Sequence, residues 1–414
     1  MAFKFSNRWN NIIYLWSSGY LDTLPDSFRN RISSKSFKIK LSLILKDFSA
    51  DFLRLFKSDV IPQNKVWFLA LTQNNYDALK KIKQGVPNSI FISFFRFRSN
   101  INNETYYFNL RLRFLYDLIY PIMLFFYALG NKKKALNYFD LLVTVNGSYE
   151  ECLRLLKKAQ PQAIIFSNDH LVIARALLLA ANNLGIKTHY VQHASVSEYF
   201  PPLEFTYALL EGQDAYDKYL RCGNITSQVH LVGMSKFDDF YDQINTNNTL
   251  KTLGLAFNLS DDLAIVSGTL SSIHKKFPNL KIILRPHPGE LRDLSNFSGY
   301  IISDSKKENS FEFLKKIDVL ITGDSSIHLE ATLLNVYSIY YVLSTRNVFD
   351  YYSFVKNGLI THCEDFNQLE SQIEQLIVSK KNIQKRATYY NAAIGENFCG
   401  KSTQKIIEII STSL

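Results

Sequence analysis

The sequence has few cysteines, and none of them is spaced like a metal ligand or a disulfide partner. Only four occur in 414 residues, far apart at positions 152, 222, 363 and 399. Structural zinc sites use closely spaced cysteine pairs, and disulfide-stapled domains are much richer in cysteine. The pattern excludes a zinc ribbon and a disulfide framework, and it favours a reducing compartment.

Signals for export are also missing. The first residues, Met1–Arg8, lack the apolar core and the small-residue cleavage site of a signal peptide. The chain contains no internal repeat, no low-complexity block and no Asp-x-Asp metal motif. We therefore predict a cytoplasmic protein without a structural or catalytic metal.

No apolar run is long enough to suggest a membrane span. The most apolar one, Phe114–Leu129, is shorter than the about 20 residues that a transmembrane helix needs, and Asp117 and Pro121 interrupt it. One interpretation is a buried helix. The other is a segment at a membrane interface, because basic residues lie on both sides of the run.

Acidic residues are scarce in the first third of the chain. Residues 1–134 contain 21 Lys and Arg but only 8 Asp and Glu, whereas the remainder has 26 against 29. The whole positive surplus of the protein therefore lies in this region. Such asymmetry predicts an anionic partner, either nucleic acid or phospholipid.

Strand and helix patterns alternate regularly after residue 141. Short apolar segments are each followed by a segment of helical period, which indicates parallel sheets covered by helices. A polar, Asn-rich stretch near residues 238–248 indicates a boundary, so we predict an α/β fold of two Rossmann-like, doubly wound domains facing across a cleft. The predicted limits are 1–238 and 239–396, with a C-terminal helix or tail at 397–414. The predicted strands are Val66–Leu71, Ser89–Phe94, Leu141–Val145, Ala163–Ser167, Lys187–Val191, Val229–Gly233, Leu263–Ser267, Lys281–Leu284, Tyr300–Ile302, Val319–Thr322 and Tyr337–Val342.

Two strand ends in the second half carry residues suited to phosphate. One buried strand runs into Arg285-Pro286-His287-Pro288, where the prolines keep the backbone extended as it leaves the sheet. Arginine offers a planar fork for phosphate, and histidine a directed donor. Ligands of α/β proteins sit at the carboxyl ends of strands. The alternative is an ordinary polar loop with a surface histidine.

A second strand ends in Thr322-Gly323-Asp324-Ser325-Ser326 and leads into a helix. One serine there is common as a helix cap. Two consecutive serines exceed what a cap requires, so we predict that they bind an anion. Glu330, one turn into the helix, could accept hydrogen bonds from a nucleoside.

In the first half, Gln192-His193-Ala194-Ser195 follows the predicted strand at 187–191. A histidine there could remove a proton from an acceptor hydroxyl near neutral pH. Glu198 and Glu211 are rival bases. Asp169 and His170, at the end of the preceding strand, could orient the acceptor.

Together these motifs resemble bacterial transferases of surface polysaccharide synthesis. The His-Pro and Ser-Ser pairs are similar to those of GT-B sialyltransferases and polysialyltransferases, in which they bind the phosphate of a CMP-sugar. Four phrases resemble capsule Kdo transferases and CDP-glycerol glycerophosphotransferases: Val191–Ala194, Val232–Asp238, Arg285–Pro288 and Asp318–Ser326. The resemblance covers roughly residues 141–345.

The resemblance implies a GT-B fold and a metal-independent, inverting glycosyltransferase. It also implies that His193 is the base and that the second domain binds a cytidine-based nucleotide-sugar donor. The expected donor-side residues are Ser235, Lys236, Arg285, His287, Pro288, Thr322, Ser325, Ser326 and Glu330. The acceptor would be a glycan or a lipid-linked glycan at the inner membrane face, reached by peripheral contact through the basic N-terminal region, with no nucleic acid involved.

Two departures leave the donor open. GT-B sialyltransferases carry an acidic motif where this chain has Gln192-His193-Ala194, and the glycerophosphotransferases usually have glycine in place of Ala194. A polyol-phosphate transferase using CDP-glycerol or CDP-ribitol is therefore the alternative. A sugar-nucleotide epimerase of the same shape is a further one, although it would need no basic membrane-facing region.

Overall fold

The chain forms two compact units. A computed structural model describes residues 2–23, 36–57, 60–95, 105–345 and 349–414, so parts of the basic first third lie outside the described residues. The first unit comprises Met1–Val232 with Thr403–Leu414, and the second comprises Gly233–Ser402. The second unit thus begins six residues before the boundary placed at 238 from the sequence. The reason is that Phe237 and Phe240 are buried in its core.

The first unit contains a seven-stranded parallel sheet in the order β3-β2-β1-β4-β5-β6-β7. Its strands are β1 Val66–Leu69, β2 Ser89–Ser93, β3 Thr105–Tyr107, β4 Ala163–Phe166, β5 Lys187–Val191, β6 Tyr207–Leu210 and β7 Gln228–Leu231. The helices of this unit are α1 Ala2–Ile12, α2 Tyr14–Ser17, α3 Phe37–Arg54, α4 Gln73–Gly85, α5 Arg113–Asp117, α6 Tyr120–Leu142, α7 Val145–Ala159, α8 Val172–Asn183, α9 Gln213–Cys222 and, from the chain's end, α14 Ser402–Ser413.

The second unit contains a six-stranded parallel sheet in the order β10-β9-β8-β11-β12-β13. Its strands are β8 Thr252–Phe257, β9 Lys281–Pro286, β10 Ile301–Ile302, β11 Val319–Thr322, β12 Tyr337–Tyr341 and β13 Thr361–Cys363. Its helices are α10 Leu263–Lys276, α11 Ser310–Leu314, α12 Ile327–Leu333 and α13 Phe366–Val378.

Both sheets show the strand order of the Rossmann fold, which confirms the predicted α/β class. In such sheets the order reverses next to the first strand, and ligands bind at the carboxyl ends beside that reversal. The reversal lies between β1 and β4 in the first unit and between β8 and β11 in the second. The predicted strand-end motifs lie at these carboxyl edges.

Two predicted strands are wrong. Leu141–Val145 spans the end of α6 and the start of α7, and Leu263–Ser267 is the start of α10. In the second case Asp262 caps the helix, accepting a hydrogen bond from the Ala264 amide at 2.8 Å. The strand that this segment follows is β8, which the sequence pattern missed together with β3, β6 and β13.

The C-terminal part of the chain differs from expectation in detail. The sequence pattern of Lys385–Ile394 predicts a helix, but the structure has only a short 3-10 turn there, at Gln384–Tyr389. The helix that belongs to the first unit is α14, whose Ile406 and Ile410 are buried against the β1 side of the sheet with Val66. The predicted tail is therefore part of the core of the first unit.

The apolar run Phe114–Leu129 is helical but not buried. It forms α5 and the first half of α6, and seven of its large apolar side chains are 45–71% exposed. The expectation of a buried helix is therefore wrong. Within the described residues no helix is long and apolar enough to cross a membrane.

Candidate functional site

In the second unit, Arg285 is turned into the protein. Its guanidinium donates to the hydroxyl of Ser303 at 2.8 Å and to the Glu308 carbonyl at 3.0 Å, and it lies 5.3 Å from the centre of the Phe313 ring. Burial lowers the pKa of Arg285, while the carboxylates of Glu308 and Glu330 act in the opposite direction. The side chain therefore stabilises the end of β9. Its guanidinium adds positive charge near this strand end but does not point at a ligand.

His287, two residues on, points the other way. It is exposed, and its Nδ1 accepts a hydrogen bond from the Gly289 amide at 3.0 Å. In a neutral imidazole one nitrogen accepts and the other carries the hydrogen. Nε2 is therefore the N–H, and this exposed nitrogen can donate to an anionic ligand. Pro288, which follows, is also exposed.

The loop after His287 is linked by hydrogen bonds to the ends of β8 and β11, the two strands at the reversal of strand order. Arg292 donates to the carbonyls of Asp261, at 2.6 Å, and Asn258, at 3.0 Å. The side-chain amide of Asn258 donates in turn to the carbonyl of Asp324 at 2.7 Å. Arg292 also forms an ion pair with Glu290, and its hydrogen bond is the main cause that lowers the pKa of Glu290 to about 2. The ends of β9, β8 and β11 thus form one connected edge.

The end of β11 presents three hydroxyl groups, and the fold uses only one of them. Thr322 is fully buried, and within the described part of the protein its hydroxyl has no hydrogen-bond partner. Ser326 begins α12, is exposed, and makes no side-chain cap hydrogen bond. Ser325, half-buried, has its hydroxyl 3.5 Å from the Ile327 amide. Capping of the helix therefore involves Ser325, through one long hydrogen bond, and does not account for Ser326.

Two further groups hold this loop from beneath. Asp324 accepts from the hydroxyl of Tyr340 at 2.9 Å and from the Tyr351 amide at 2.8 Å, so it is structural. His328 lies between the hydroxyl of Ser338, 2.6 Å from Nδ1, and the Gly323 carbonyl, 3.0 Å from Nε2. Burial lowers the pKa of His328 to about 3, so it is neutral at physiological pH.

Lys236 and Glu330 form an ion pair on the same unit. Glu330 is buried one turn into α12, whereas Lys236 is exposed and Ser235 beside it is half-buried. The charge of Glu330 also acts on the pKa of Arg285, in the direction that raises it. The structure thus pairs Lys236 with Glu330, two residues that the sequence predicted on the donor side.

The turn that carries Lys236 needs glycine. Gly233 has a φ of +79°, and a Cβ there would lie 2.5 Å from the Ser402 hydroxyl and 2.6 Å from the Ala393 Cβ. The next amide, of Met234, donates to the Asn391 side chain at 3.2 Å. Asn391 is a positioning residue that the sequence pattern did not reveal, because it lies more than 150 residues away.

In the first unit, His193 lies at the end of β5 and contacts Asn75. Its Nε2 is 3.4 Å from the Asn75 Nδ2, and Asn75 is buried in the first turn of α4. An amide nitrogen donates, so the facing ring nitrogen accepts and holds a lone pair. The sequence contained a signal for Asn75: it closely follows β1, whose carboxyl end lies at the same edge.

The two candidate glutamates are placed differently from each other. Glu211 is buried beside the loop of His193, with its amide donating to the Gln192 side chain at 2.8 Å and its carboxylate 3.4 Å from the Gln192 Nε2. Glu198 forms an exposed ion pair with Arg221. Glu211 therefore supports the His193 loop, and Glu198 lies at the surface.

Asp169 and His170 form a hydrogen-bonded pair at the end of β4. The Asp169 Oδ1 is 2.9 Å from the His170 Nδ1, and the hydroxyl of Tyr219 donates to Oδ2 at 2.6 Å. Burial alone would raise the pKa of Asp169, but the hydrogen bonds from His170 and Tyr219 and the charge of Arg175 hold it below its usual value. The carboxylate is thus ionised and fixes the orientation of the half-buried His170.

A cavity of about 600 Å³ opens near the other end of the same sheet edge. Arg54, Lys57, Arg113 and Asp47 line it together with aromatic side chains after β2 and at β3, namely Phe95, Tyr107 and Phe108. Arg54 and Arg113 are paired with the buried Asp51. Cationic and aromatic groups together suit a sugar that carries negative charge.

Among the residues that the structure describes, no group of three or more His, Cys, Asp or Glu side chains is arranged to hold a metal ion.

No protein-family model matches the sequence, and no curated protein matches it. Solved structures do resemble it. The UDP-GlcNAc 2-epimerase from Neisseria meningitidis bound to UDP-GlcNAc has a TM-score of 0.54 at 12% identity, covering 84% of this chain and 100% of its own. The glycotransferase of kitacinnamycin has a TM-score of 0.53 at 10% identity, and the match covers 85% of this chain and 99% of its own.

The wall teichoic acid polymerase TagF, soaked with CDPG, has a TM-score of 0.52 at 13% identity and covers 91% of this chain and 98% of its own. The likeness expected to glycerophosphotransferases is thus met at the level of the fold, whereas the likeness to sialyltransferases and Kdo transferases stays a prediction. At such low identities these similarities show the fold alone. The protein has the GT-B fold of two Rossmann-like units, which transferases and epimerases share.

Proposed function

We propose that the protein is a metal-independent, inverting glycosyltransferase that moves a sugar from a nucleotide donor to a glycan hydroxyl in the synthesis of a bacterial surface polysaccharide. The donor we propose is a CMP-sugar of the sialic acid or Kdo type. One observation carries the proposal. The carboxyl edge of the second sheet combines the Nε2–H of His287 with the Ser326 hydroxyl, which makes no cap hydrogen bond, and with the Ser325 hydroxyl, which accepts only a long hydrogen bond of 3.5 Å from the Ile327 amide.

In this proposal the donor phosphate binds His287, Ser325 and Ser326. Lys236 and the buried Arg285 add positive charge, which stabilises the phosphate as the bond between it and the sugar breaks. Glu330, beside Lys236, is placed to accept from a nucleoside hydroxyl. Thr322 and Pro288 shape the floor and the rim of this site.

His193 is the proposed base. As the acceptor oxygen attacks the anomeric carbon, the His193 Nε2 takes the hydroxyl proton, and the nucleotide leaves from the opposite face, so the configuration inverts. In the free protein the Asn75 amide donates to this lone pair and orients the ring, and the acceptor hydroxyl displaces that amide before it gives up its proton. Glu211 is the alternative base, because its carboxylate contacts Gln192, the residue before His193. Asp169 and His170 are proposed to orient the acceptor.

The acceptor that we propose is anionic or lipid-linked. The cavity with Arg54, Lys57 and Arg113 offers a place for its charged part. The excess of positive charge in residues 1–134 supports a peripheral location at the inner face of the cytoplasmic membrane, and we propose no nucleic acid as a partner.

Nucleotide release from a panel of donors tests this function. The purified protein is incubated with CMP-sialic acid, CMP-Kdo, CDP-glycerol and UDP-GlcNAc, each with and without an acidic glycan acceptor, and with EDTA in parallel. We expect CMP release that depends on the acceptor and is unaffected by EDTA. At a donor concentration below KM, slower release in His287→Ala but not in His274→Ala would support this edge as the donor site, because His274 is exposed in the last turn of α10, at the opposite edge of the same sheet.

A polyol-phosphate transferase is the second candidate. The histidine at 193, where GT-B sialyltransferases carry an acidic motif, favours it, and the TagF structure soaked with CDPG shares the fold. In that case CMP would be released from CDP-glycerol with formation of a phosphodiester. An epimerase would instead convert a UDP-sugar without any acceptor. Turnover of none of these donors would contradict all three functions.

A further inference from the structure

Helix α3 of the first unit buries charged side chains and exposes apolar ones. The residues that it buries fully are Lys40 and Asp51, whereas most of its large apolar side chains are exposed and only Ile44 and Phe48 pack, half-buried, against the core. A surface helix of a soluble protein normally does the reverse. The apolar side chains of α3 that are at least 39% exposed are Phe37, Ile39, Leu41, Leu43, Leu45, Phe52 and Leu53.

Buried charges hold α3 in this orientation. Asp51 accepts from the Arg113 Nε at 2.6 Å, and Lys40 lies 3.6 Å from the Asp140 carboxylate and donates to the carbonyl of Asn137. Burial raises the pKa of Asp117, which adjoins this network, to about 9. These buried ion pairs hold the helix with its charged side toward the core. Rotating the helix to bury the leucines would break the ion pairs.

The exposed apolar surface continues over α5 and α6. Phe37 packs against Phe139, with ring centroids 5.6 Å apart, and Phe52 packs against Phe114, at 5.3 Å. The three helices therefore form one surface, which we call the α3–α6 face. Its further exposed residues are Leu115, Leu118, Ile119, Ile122, Phe125, Phe126, Leu129 and Leu136. A continuous apolar surface of this kind indicates a binding site.

The charges on these helices identify the partner. All four of their carboxylates avoid the surface, since Asp51, Asp117 and Asp140 are buried and Asp47 is half-buried. The charged residues that are exposed are all cationic, namely Lys38, Lys46, Lys132 and Lys133. Two copies of such a face would repel each other, whereas anionic phospholipid would attract it and its acyl region would accept the apolar side chains.

We propose that the α3–α6 face inserts into the interface of a bilayer that contains anionic phospholipid, with the helices lying in the plane of the membrane. The proposal deepens the membrane contact suggested above and depends on none of the donor chemistry. The lysines draw the protein to the surface, and the phenylalanines and leucines hold it there.

Vesicle flotation of the full-length protein tests the proposal. Vesicles of phosphatidylcholine alone are compared with vesicles of phosphatidylcholine and phosphatidylglycerol, at low and high salt. We expect strong binding to the anionic vesicles, weakened but not abolished by salt, because apolar insertion remains when charges are screened. The double variant Phe125→Ser/Phe126→Ser should lower the partition coefficient by about tenfold or more.

The matched control is Ile377→Ser/Val378→Ser, which changes two adjacent exposed apolar side chains at the end of α13 in the second unit. It should bind like the unchanged protein, and thermal unfolding should show that both variants are folded. Lys132→Glu/Lys133→Glu should remove the preference for anionic vesicles. Equal binding of the Phe125/Phe126 variant and the unchanged protein would overturn the proposal.

Two other results would also overturn it. One is no binding of the unchanged protein to either vesicle. The other is a dimer in light scattering that the Phe125/Phe126 variant dissolves, which would make a second copy the partner. Nucleotide release with a water-soluble acceptor should be the same in the flotation variants, so failure of the membrane proposal and failure of the transferase proposal remain distinguishable.

Discussion

His287 and His193 lie at the carboxyl edges of different sheets and are expected to affect different kinetic constants. His287→Ala removes a donor to the phosphate, so the KM for the donor should rise by about tenfold or more while the fold is kept. His193→Ala removes the base, and kcat should fall by about 100-fold or more with little change in donor binding. Steady-state kinetics with the active donor measure both. Equal, mild effects of the two substitutions would contradict the assignment.

Asn75 is expected to act through His193. Asn75→Ala removes the amide that faces Nε2, and a lost hydrogen bond of about 1 kcal/mol corresponds to a fall in kcat of about five-fold, with the donor KM unchanged. The neighbouring Asn74 is exposed, so Asn74→Ala is a matched control and should have no effect. If Asn75→Ala lowered thermal stability and raised KM without lowering kcat, its role would be structural only.

The sequence did not allow us to predict which side chains at the strand ends point toward a ligand and which point into the protein. Arg285 and His287 are both followed by proline, and both were expected to reach the ligand. Their surroundings separate them, because Ser303 and Glu308, from the chain after β9, take up the guanidinium, whereas Gly289 occupies only one nitrogen of His287. The first two partners lie 18 and 23 residues beyond Arg285, and no local pattern encodes that contact.

At the scale of elements, strands were predictable where apolar segments end in polar motifs, as at β9 and β11. Segments with ambiguous apolar runs were not. Leu263–Ser267 was expected to be a strand, but Asp262 caps it as a helix. Helix α3 shows a different limit. Periodicity reveals an apolar side of a helix but not whether that side faces the core, which here depends on ion pairs to Arg113 and Asp140.

His328 makes the stability of the second unit depend on pH. Its pKa is lowered from 6.5 to about 3 by burial, so it stays neutral in the folded state while the unfolded chain takes up a proton below pH 6.5. The free energy of unfolding should therefore fall as the pH drops from about 6 to 5, by up to about 1.4 kcal/mol per pH unit from this group. His328→Gln should remove this part of the slope, and His274→Ala should not.

The three tryptophans allow the two units to be measured separately. Trp9, Trp16 and Trp67 all belong to the first unit, so tryptophan fluorescence reports on its unfolding alone, while circular dichroism reports on both units. Unfolding of the second unit is therefore seen by circular dichroism but not by fluorescence. The effect of His328 is measured as the pH dependence of that transition. A slope unchanged by His328→Gln would mean that other groups control the acid sensitivity of this unit.

At the scale of the whole molecule, the first unit is completed by the last helix of the chain. Ile406 of α14 is buried beside Val66 of β1, although the entire second unit separates them in sequence. Lys187 and His189 of β5 also bind the end of α14, at the Ser413 carbonyl and hydroxyl. The first unit should therefore reach its full stability only when the chain is complete.

The substitution Ile406→Ala tests this dependence. Removing a buried isoleucine side chain costs about 2–5 kcal/mol, and the whole loss should be seen in the fluorescence transition of the first unit. Glu408→Ala, on the exposed side of the same helix, is the control and should change that transition by less than about 0.5 kcal/mol. If Ile406→Ala shifted only the transition seen by dichroism alone, α14 would stabilise the second unit instead, and the division of the chain at Ser402 would be wrong.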